Sequence, residues 1–312
     1  MSGIYIHIPF CKQACSYCDF YFVTKFDQKQ KFVDQLCKEI ESKKGTKFVE
    51  LPIKTIYFGG GTPSLLSGKQ IEQVLTAIYH AFETDVEETT VELNPDDVTS
   101  NYLSDLKQIG VQRVSMGVQT FDENLLRFMH RAHSSREALT CLELLEKSEI
   151  DVFTADLIYG NPGQTEEILA KDLDTLLQFN PSHVSAYSLT IEPRTRLGKQ
   201  LELGRIIEAE DELVASHFRL VESKLVEKGI QRYEVSNFAK PGAEAIHNSN
   251  YWEHKNYLGF GPGAHSFWWD ENAAQAERWS NKPDLKEYLE KDNFQEFEKE
   301  ELNLHDLAEE RI

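Results

Sequence analysis

The stretch Ile4-Tyr5-Ile6-His7-Ile8-Pro9-Phe10-Cys11-Lys12-Gln13-Ala14-Cys15-Ser16-Tyr17-Cys18 decides how the rest of the chain is read. Gly3–Ile8 is an apolar, β-rich run and reads as a strand. Directly behind it, three of the chain's five cysteines fall within eight positions, spaced C-x3-C-x2-C. Cysteines that are few and odd in number argue against a disulfide framework, so the clustering needs another explanation. Three thiolates on a short loop can hold three irons of a 4Fe–4S cube and leave the fourth iron open. A structural zinc ion wants four ligands, usually in two separated pairs, and the nearest histidine, His7, lies inside the strand. Cys37 and Cys141 sit in helix-like segments with apolar neighbours and read as buried small hydrophobes.

Working outward, strands are expected at Lys54–Phe58, Thr89–Leu93, Arg113–Val118, Val152–Ile158 and His183–Thr190. Amphipathic stretches with helical spacing separate them: Gln28–Ser42, Lys69–Phe82, Asn101–Ile109 and Ser135–Lys147. Ser100 and Ser134 are expected N-caps, and Gly110 a C-terminal stop. Six βα units of roughly thirty residues each fit between residue 3 and about residue 180. Such alternation implies a parallel sheet with helices outside, doubly wound or curled toward a barrel. After Thr190 the rhythm changes. Glu208–Lys228 reads as a long charged helix, Gln231–Val235 as a strand, and Gly259–Phe267 as a glycine-rich turn and strand. Residues 270–312 read as acidic and helical. The last apolar-periodic residues, Leu302, Leu304, Leu307 and Ile312, run to the end uncapped, so a continuation beyond Ile312 is expected.

The 312 residues carry 33 Lys and Arg against 52 Asp and Glu, a net charge of −19. With 40% hydrophobic and 27% charged residues, wholesale disorder and a fibrous repeat are excluded. The acid excess argues against a nucleic-acid partner, which would require clustered cations. No apolar run approaches the ~18 residues of a membrane span. Cys11 and Lys12 cut short the run Ile4–Phe10, which has no basic leader, so a cytoplasmic protein is expected.

The cysteine segment, followed by Gly59-Gly60-Gly61-Thr62-Pro63 behind the second strand, resembles the radical S-adenosylmethionine (SAM) superfamily. Three further segments are similar to its oxygen-independent coproporphyrinogen III oxidase branch, which includes a non-oxidase, haem-chaperone sibling. They are Ile4–Cys11, Met116-Gly117-Val118-Gln119-Thr120-Phe121 and Asp156-Leu157-Ile158-Tyr159-Gly160-Asn161-Pro162-Gly163. The resemblance runs from Tyr5 to Ile312. It implies a partial (β/α)6 TIM-type barrel over residues 1–235 and a C-terminal α+β extension over 236–312.

It also implies a set of site residues. Cys11, Cys15 and Cys18 would hold a 4Fe–4S cluster, whose open iron takes the amino and carboxylate groups of SAM. Gly60, Gly61 and Thr62 belong to a turn whose missing side chains let the backbone approach the methionine half. That turn is no phosphate loop, because Gly68-Lys69 lacks a glycine five residues earlier and is followed by Gln70. Glu92, Gln119 and Asp156 close expected strands, and Arg131 lies twelve residues past Gln119. The family places residues at these positions against SAM, with Tyr5 and Tyr17 packed near cluster and cofactor. Gly259-Phe260-Gly261-Pro262-Gly263-Ala264 formally matches a dinucleotide fingerprint, but no helix opens after Pro262. In the family the string is a turn near the cofactor, so His265 is expected to approach SAM.

Three features separate chaperone from oxidase. Oxidases place a further cysteine two residues after the third, where this chain has Phe20. Their N-terminal arm has no counterpart ahead of a strand that opens at Gly3. His247-Asn248-Ser249-Asn250-Tyr251-Trp252 matches the His-Asn-x-x-Tyr-Trp string of the chaperone branch. Histidine is a common axial ligand of haem iron, and the two aromatics offer flat area for a macrocycle. The expected function is therefore a haem chaperone that binds haem as cargo at His247, with His254 a competing ligand. Acceptor haemoproteins, respiratory ones included, are its expected partners, at the membrane periphery or free of it; a homodimer is an open alternative. The competing function is an oxygen-independent coproporphyrinogen III oxidase. A purely structural or electron-transfer iron–sulfur protein would not need the Gly59–Thr62 turn.

Overall fold

The computed structural model describes residues 2–49, 51–270, 274–290, 294 and 296–310. Six strands stand side by side in chain order, all parallel: β1 (Ser2–Ile8), β2 (Ile53–Gly60), β3 (Thr84–Leu93), β4 (Arg113–Gln119), β5 (Val152–Tyr159) and β6 (His183–Ser188). Their side chains are buried on both faces, as in a sheet covered by crossover helices. Ile4, Ile6 and Ile8 are all fully buried. The covering helices are amphipathic: Lys29–Ser42 buries Phe32, Val33, Leu36 and Ile40, and Gly68–Ala81 buries Ile71, Val74, Leu75 and Ile78.

The helix termini follow local chemistry. Ser134 caps Ser135–Glu146 in a reciprocal capping box with Glu137. Thr99, not Ser100, caps Ser100–Gln108, its side chain accepting from Tyr102 N at 3.2 Å. The two hydroxyls are adjacent, and only Thr99 keeps the extended backbone that a cap requires. Gly110 adopts φ +90° behind that helix, where a side chain would be strained.

The sheet does not close. At one edge β6 pairs antiparallel with β8 (Asn237–Ala239), which pairs with β7 (Gln231–Arg232). At the other, β1 pairs in parallel with β9 (Asn256–Phe260). Three antiparallel strands follow: β10 (His265–Asp270), β11 (Gln275–Asn281) and β12 (Glu296–Asn303). The six parallel strands thus form a partial barrel inside one twelve-stranded sheet.

Residues 270–312 correct the helical expectation. They contribute β11 and β12, and among the described residues only Leu285–Glu290 and Leu304–Glu309 are helical. β12 is exposed on nearly every residue, so its composition carries no strand alternation. Pairing with β11 fixes it, with Lys299–Glu277 and Arg278–Glu300 ion pairs across the strands. Ile312, where the apolar run was expected to continue, lies outside the described residues. The expected strand Gln231–Val235 shrinks to two residues, and His183–Thr190 ends at Ser188. β9 opens three residues ahead of the expected glycine turn.

Segment 243–252 enters the barrel interior from below. Arg113 and Glu88 form a buried ion pair at 2.8 Å. The guanidinium donates to Ala243 O and Glu244 O, while Glu88 accepts from Ile246 N and His247 N. Burying two charges is tolerable only when each lone pair and proton finds a partner, and this segment supplies them. Glu39, fully buried on helix Lys29–Ser42, does a similar service for the extension. It accepts from Tyr288 Oη at 2.7 Å, Gly261 N at 2.9 Å and Asn281 Nδ2 at 2.6 Å. Among the described residues no helix is long and apolar enough to cross a membrane.

Candidate functional site

The C-terminal ends of the parallel strands open into two adjoining cavities that share Asp19, Phe20, Phe22, Tyr187 and Asn248 as lining residues. The smaller, about 670 Å³, is walled by Cys11, Cys15 and Cys18 on one side. Gly60, Gly61, Thr62, Glu92, Gln119, Arg131 and Asp156 complete it. Eight residues expected from sequence to share a site, Tyr17 among them, therefore do so alongside Cys11, Cys15 and Cys18.

The cysteine loop is stitched to the segment after β4. Ser16 N donates to Met129 O and Ser16 Oγ to Phe128 O, each at 2.9 Å. Gln13 Nε2 donates to His130 O at 2.9 Å, and Ala14 O lies 2.8 Å from His130 Nδ1. Lys12 pairs with Asp96 and Asp97. Burial pushes the Cys11 thiol up to about 11 and the Cys18 thiol to about 12, the neighbouring thiols adding to both. Holding these sulfurs as thiolates therefore calls for a cation. Among the described residues no trio of His, Cys, Asp and Glu is disposed to share one metal ion. A cube takes each thiolate on a different iron, so its ligands need no common point, and the donor set fits that group.

The glycine turn forms a cradle beside the loop. A Cβ on Gly61 would sit 2.7 Å from Phe10 O, 2.8 Å from Ile8 O and 3.0 Å from Cys11 Sγ. Gly60 has φ +103°, and its Cβ would fall 2.6 Å from the His7 ring. Thr62 Oγ1 donates to Cys11 Sγ at 3.6 Å. Across the cavity, Arg131 donates to Cys15 Sγ at 3.5 Å, Tyr17 Oη at 3.3 Å and Gly117 O at 3.1 Å. Among the described residues its buried Nε has no partner, nor does buried Thr90 Oγ1, which lines the same cavity. Such orphaned atoms fit a polar ligand in the space between them.

Two buried carboxyls face that space. Burial pushes Glu92 up to about 8, opposed by hydrogen bonds from Tyr57 and the Gly60 backbone, while Asp156 raises it further. Asp156 is pushed to about 6 by burial and accepts from Ser115 at 3.0 Å. A cationic ligand would draw both toward the carboxylate form. Gln119 reaches the cavity from a left-handed backbone, φ +65°, where β4 slips register against β5. Strain of this kind persists only where the surroundings hold it. Sequence reasoning missed Tyr57, Asn94, Ser115 and Ser185. Tyr57 and Asn94 stand two positions from Gly59 and Glu92, a spacing that shares a strand face and could have found them.

The larger cavity, about 1270 Å³, lies between the cysteine loop and the extension. Tyr5 opens onto it rather than onto the smaller one, and stacks on Tyr57 at 6.1 Å. Tyr251, Trp252, His254 and His265 line it as well. His265, expected beside SAM, thus faces the larger space, because β10 stands two strands beyond β1 on the extension side of the sheet.

His247 is not brought to either cavity. It is 1% exposed, stacked on Tyr57 at 5.1 Å. One ring nitrogen lies 2.8 Å from Thr55 Oγ1 and the other 2.9 Å from Tyr251 Oη. Burial holds its pKa down at about 3, so the ring is neutral, but both nitrogens are engaged. An axial bond to haem iron would require breaking one of them. His254 Nε2 pairs with Glu310 at 3.1 Å.

Comparison with known proteins gives the family and the fold. The family model of the Radical SAM superfamily matches residues 5–176. A "Heme chaperone HemW" from Bacillus subtilis is 38% identical over 272 residues, 86% of this chain and 71% of that protein. The Escherichia coli protein of the same name is 36% identical over 270 residues, 84% and 69%. Among solved structures, the E. coli coproporphyrinogen III oxidase HemN, a radical SAM enzyme, superposes with a TM-score of 0.76. It covers 92% of this chain and 68% of its own at 23% identity, which bears on the fold alone.

Proposed function

The chain belongs to the radical SAM superfamily and, within it, to the HemW haem-chaperone family, and from that premise we propose that it carries haem in the larger cavity beside a 4Fe–4S and SAM site in the smaller. One observation carries the reading. Five aromatic rings stay open to solvent around the larger cavity: Phe20 (69% exposed), Trp252 (55%), Phe297 (49%), Tyr187 (42%) and Tyr251 (36%). Clustered exposed apolar area marks a binding surface, and flat rings suit a flat macrocycle. The cavity also exceeds the ~300–1,000 Å³ usual for small ligands.

In this proposal residues 1–235 form the unit that holds cluster and SAM, and residues 236–312 supply a wall for the cargo. Cys11, Cys15 and Cys18 hold the cluster. Gly60, Gly61 and Thr62 leave room for the methionine half of SAM, and Glu92 and Asp156 set negative charge against its cationic groups. Gln119 and Arg131 offer donors, Tyr17 orients Arg131, and Tyr5 backs Tyr57. When bound, the two cofactors supply one-electron cleavage of a carbon–sulfur bond. His247 acts as a positioning residue: it fixes the Tyr251 hydroxyl from behind and leaves the ring facing the cargo. Haem would pass to acceptor haemoproteins, respiratory ones included, from the cytoplasm or the membrane periphery.

Phe20 occupies the place of the oxidases' further cysteine, so porphyrinogen decarboxylation is left out of the proposal. Anaerobic reconstitution of the cluster, followed by parallel haem titration and coproporphyrinogen III conversion, tests the choice. Saturable haem binding with no decarboxylated product is the expected result. Product formation without haem binding would replace this function with the oxidase.

A further inference from the structure

We propose that His265 is the protein ligand to haem iron in the larger cavity, an assignment that rests on the haem-carrier function above. Four histidines lie in or behind this cavity; two have both ring nitrogens engaged and a third has Nε2 engaged. His7 is 3% exposed, with Nε2 2.8 Å from Tyr21 O and Nδ1 3.3 Å from Tyr5 Oη. His247 is held between Thr55 and Tyr251. His254 lines the cavity but spends Nε2 on Glu310 at 3.1 Å. The His265 ring is exposed on the cavity wall and makes no hydrogen bond among the described residues.

Its setting fits the role. His265 opens β10, and Phe267, two residues on, lines the cavity too. Phe267 stacks on Tyr257 at 6.3 Å, so apolar ring area lies beside the imidazole. His265 is paired in register with Ser280, and Ser280 with Glu298, which puts a carboxylate on the same wall two strands away. A metal-bound histidine is commonly oriented by a carboxylate or other acceptor on its second nitrogen. Arg278, also on the cavity wall, stands over Phe267 at 5.9 Å and is paired with Glu310 and Glu300. Burial keeps the His265 pKa below its ordinary value, so the imidazole is neutral at pH 7 with a lone pair for iron.

The test uses the whole 312-residue chain with its cluster reconstituted anaerobically. Ferric haem is titrated into the unmodified protein and into His265→Ala, His254→Ala and His247→Gln. Binding is followed by the Soret band and by electron paramagnetic resonance of the ferric complex. His265→Ala is expected to lose the histidine-ligated spectrum and to bind haem about tenfold or more weakly. Added imidazole should restore the spectrum in that variant, which a folding defect would not allow. An unaltered spectrum and affinity in His265→Ala overturns the assignment, as does loss of the histidine signature in His254→Ala with His265 intact. Absence of haem binding by the unmodified protein is a different result: it removes the haem-carrier function itself, and this ligand with it.

Discussion

The two cavities are built on opposite plans. The smaller is assembled from the ends of several strands, and its cysteine loop, Arg131 and Glu92 are held by hydrogen bonds to their neighbours. Its glycines leave no slack: a single methyl on Gly61 would collide with two backbone carbonyls and a cysteine sulfur. The larger is bounded in part by rings open to solvent, with Phe20 and Trp252 more than half exposed. Over-determined walls hold a ligand of one shape, whereas loosely packed aromatic walls can admit and release a large flat one. Retaining a cofactor and handing over a cargo call for these two plans in turn.

The comparison breaks most sharply at the cysteines. Cys11→Ser, Cys15→Ser or Cys18→Ser should each remove essentially all cluster iron and sulfide, while Cys37→Ser and Cys141→Ser keep it. Cys141 is buried, and Cys37 is half-buried with its thiol donating to Gln73 O, so neither faces the loop. Full iron content in Cys15→Ser would undo the cluster assignment. Next in size is the joint between the two regions. Arg113→Met leaves Glu88 buried without its cation and should cost about 3–5 kcal/mol in denaturant unfolding. A loss below about 1 kcal/mol would mean the interior tolerates that carboxylate in another form.

Gly60→Val should weaken SAM binding about tenfold in calorimetry while leaving the cluster, since a side chain is strained at φ +103° and meets His7. Unchanged affinity would free the glycine turn from the small-cavity plan. The smallest expected effect belongs to the larger cavity. Trp252→Ala should shift unfolding by no more than about 0.5 kcal/mol, because the ring is largely exposed. Haem affinity should nevertheless fall several-fold. A large stability loss would reveal Trp252 as packing rather than as a docking surface.

What could be read from sequence followed how local the signal was. β1 and its cysteine loop are contiguous, and the six parallel strands each announce themselves by an apolar run and a following amphipathic helix. The residues that gather in the small cavity sit at strand ends, so the alternation itself lined them up. β9 was only half legible, because what fixes it is parallel pairing with β1, some 250 positions earlier, starting from Ser2 and Asn256. β12 hid for a different reason: with charges on both faces, nothing in its composition separates it from a solvated helix. His247 was legible as special and illegible in role. Its string of aromatics is the same whether the imidazole points into a cavity or, as here, back toward Thr55.

The buried pair at the foot of the barrel also bears on how the protein is made. Glu88 and Arg113 emerge early, on adjacent strands, but the groups that complete their hydrogen bonding lie 130 to 159 residues further along. At ordinary translation speeds that interval lasts on the order of ten seconds. Through it the nascent six-stranded sheet holds a charged pair that only water can satisfy. The barrel interior therefore stays hydrated until segment 243–252 leaves the ribosome, and its drying is a late, long-range closure step.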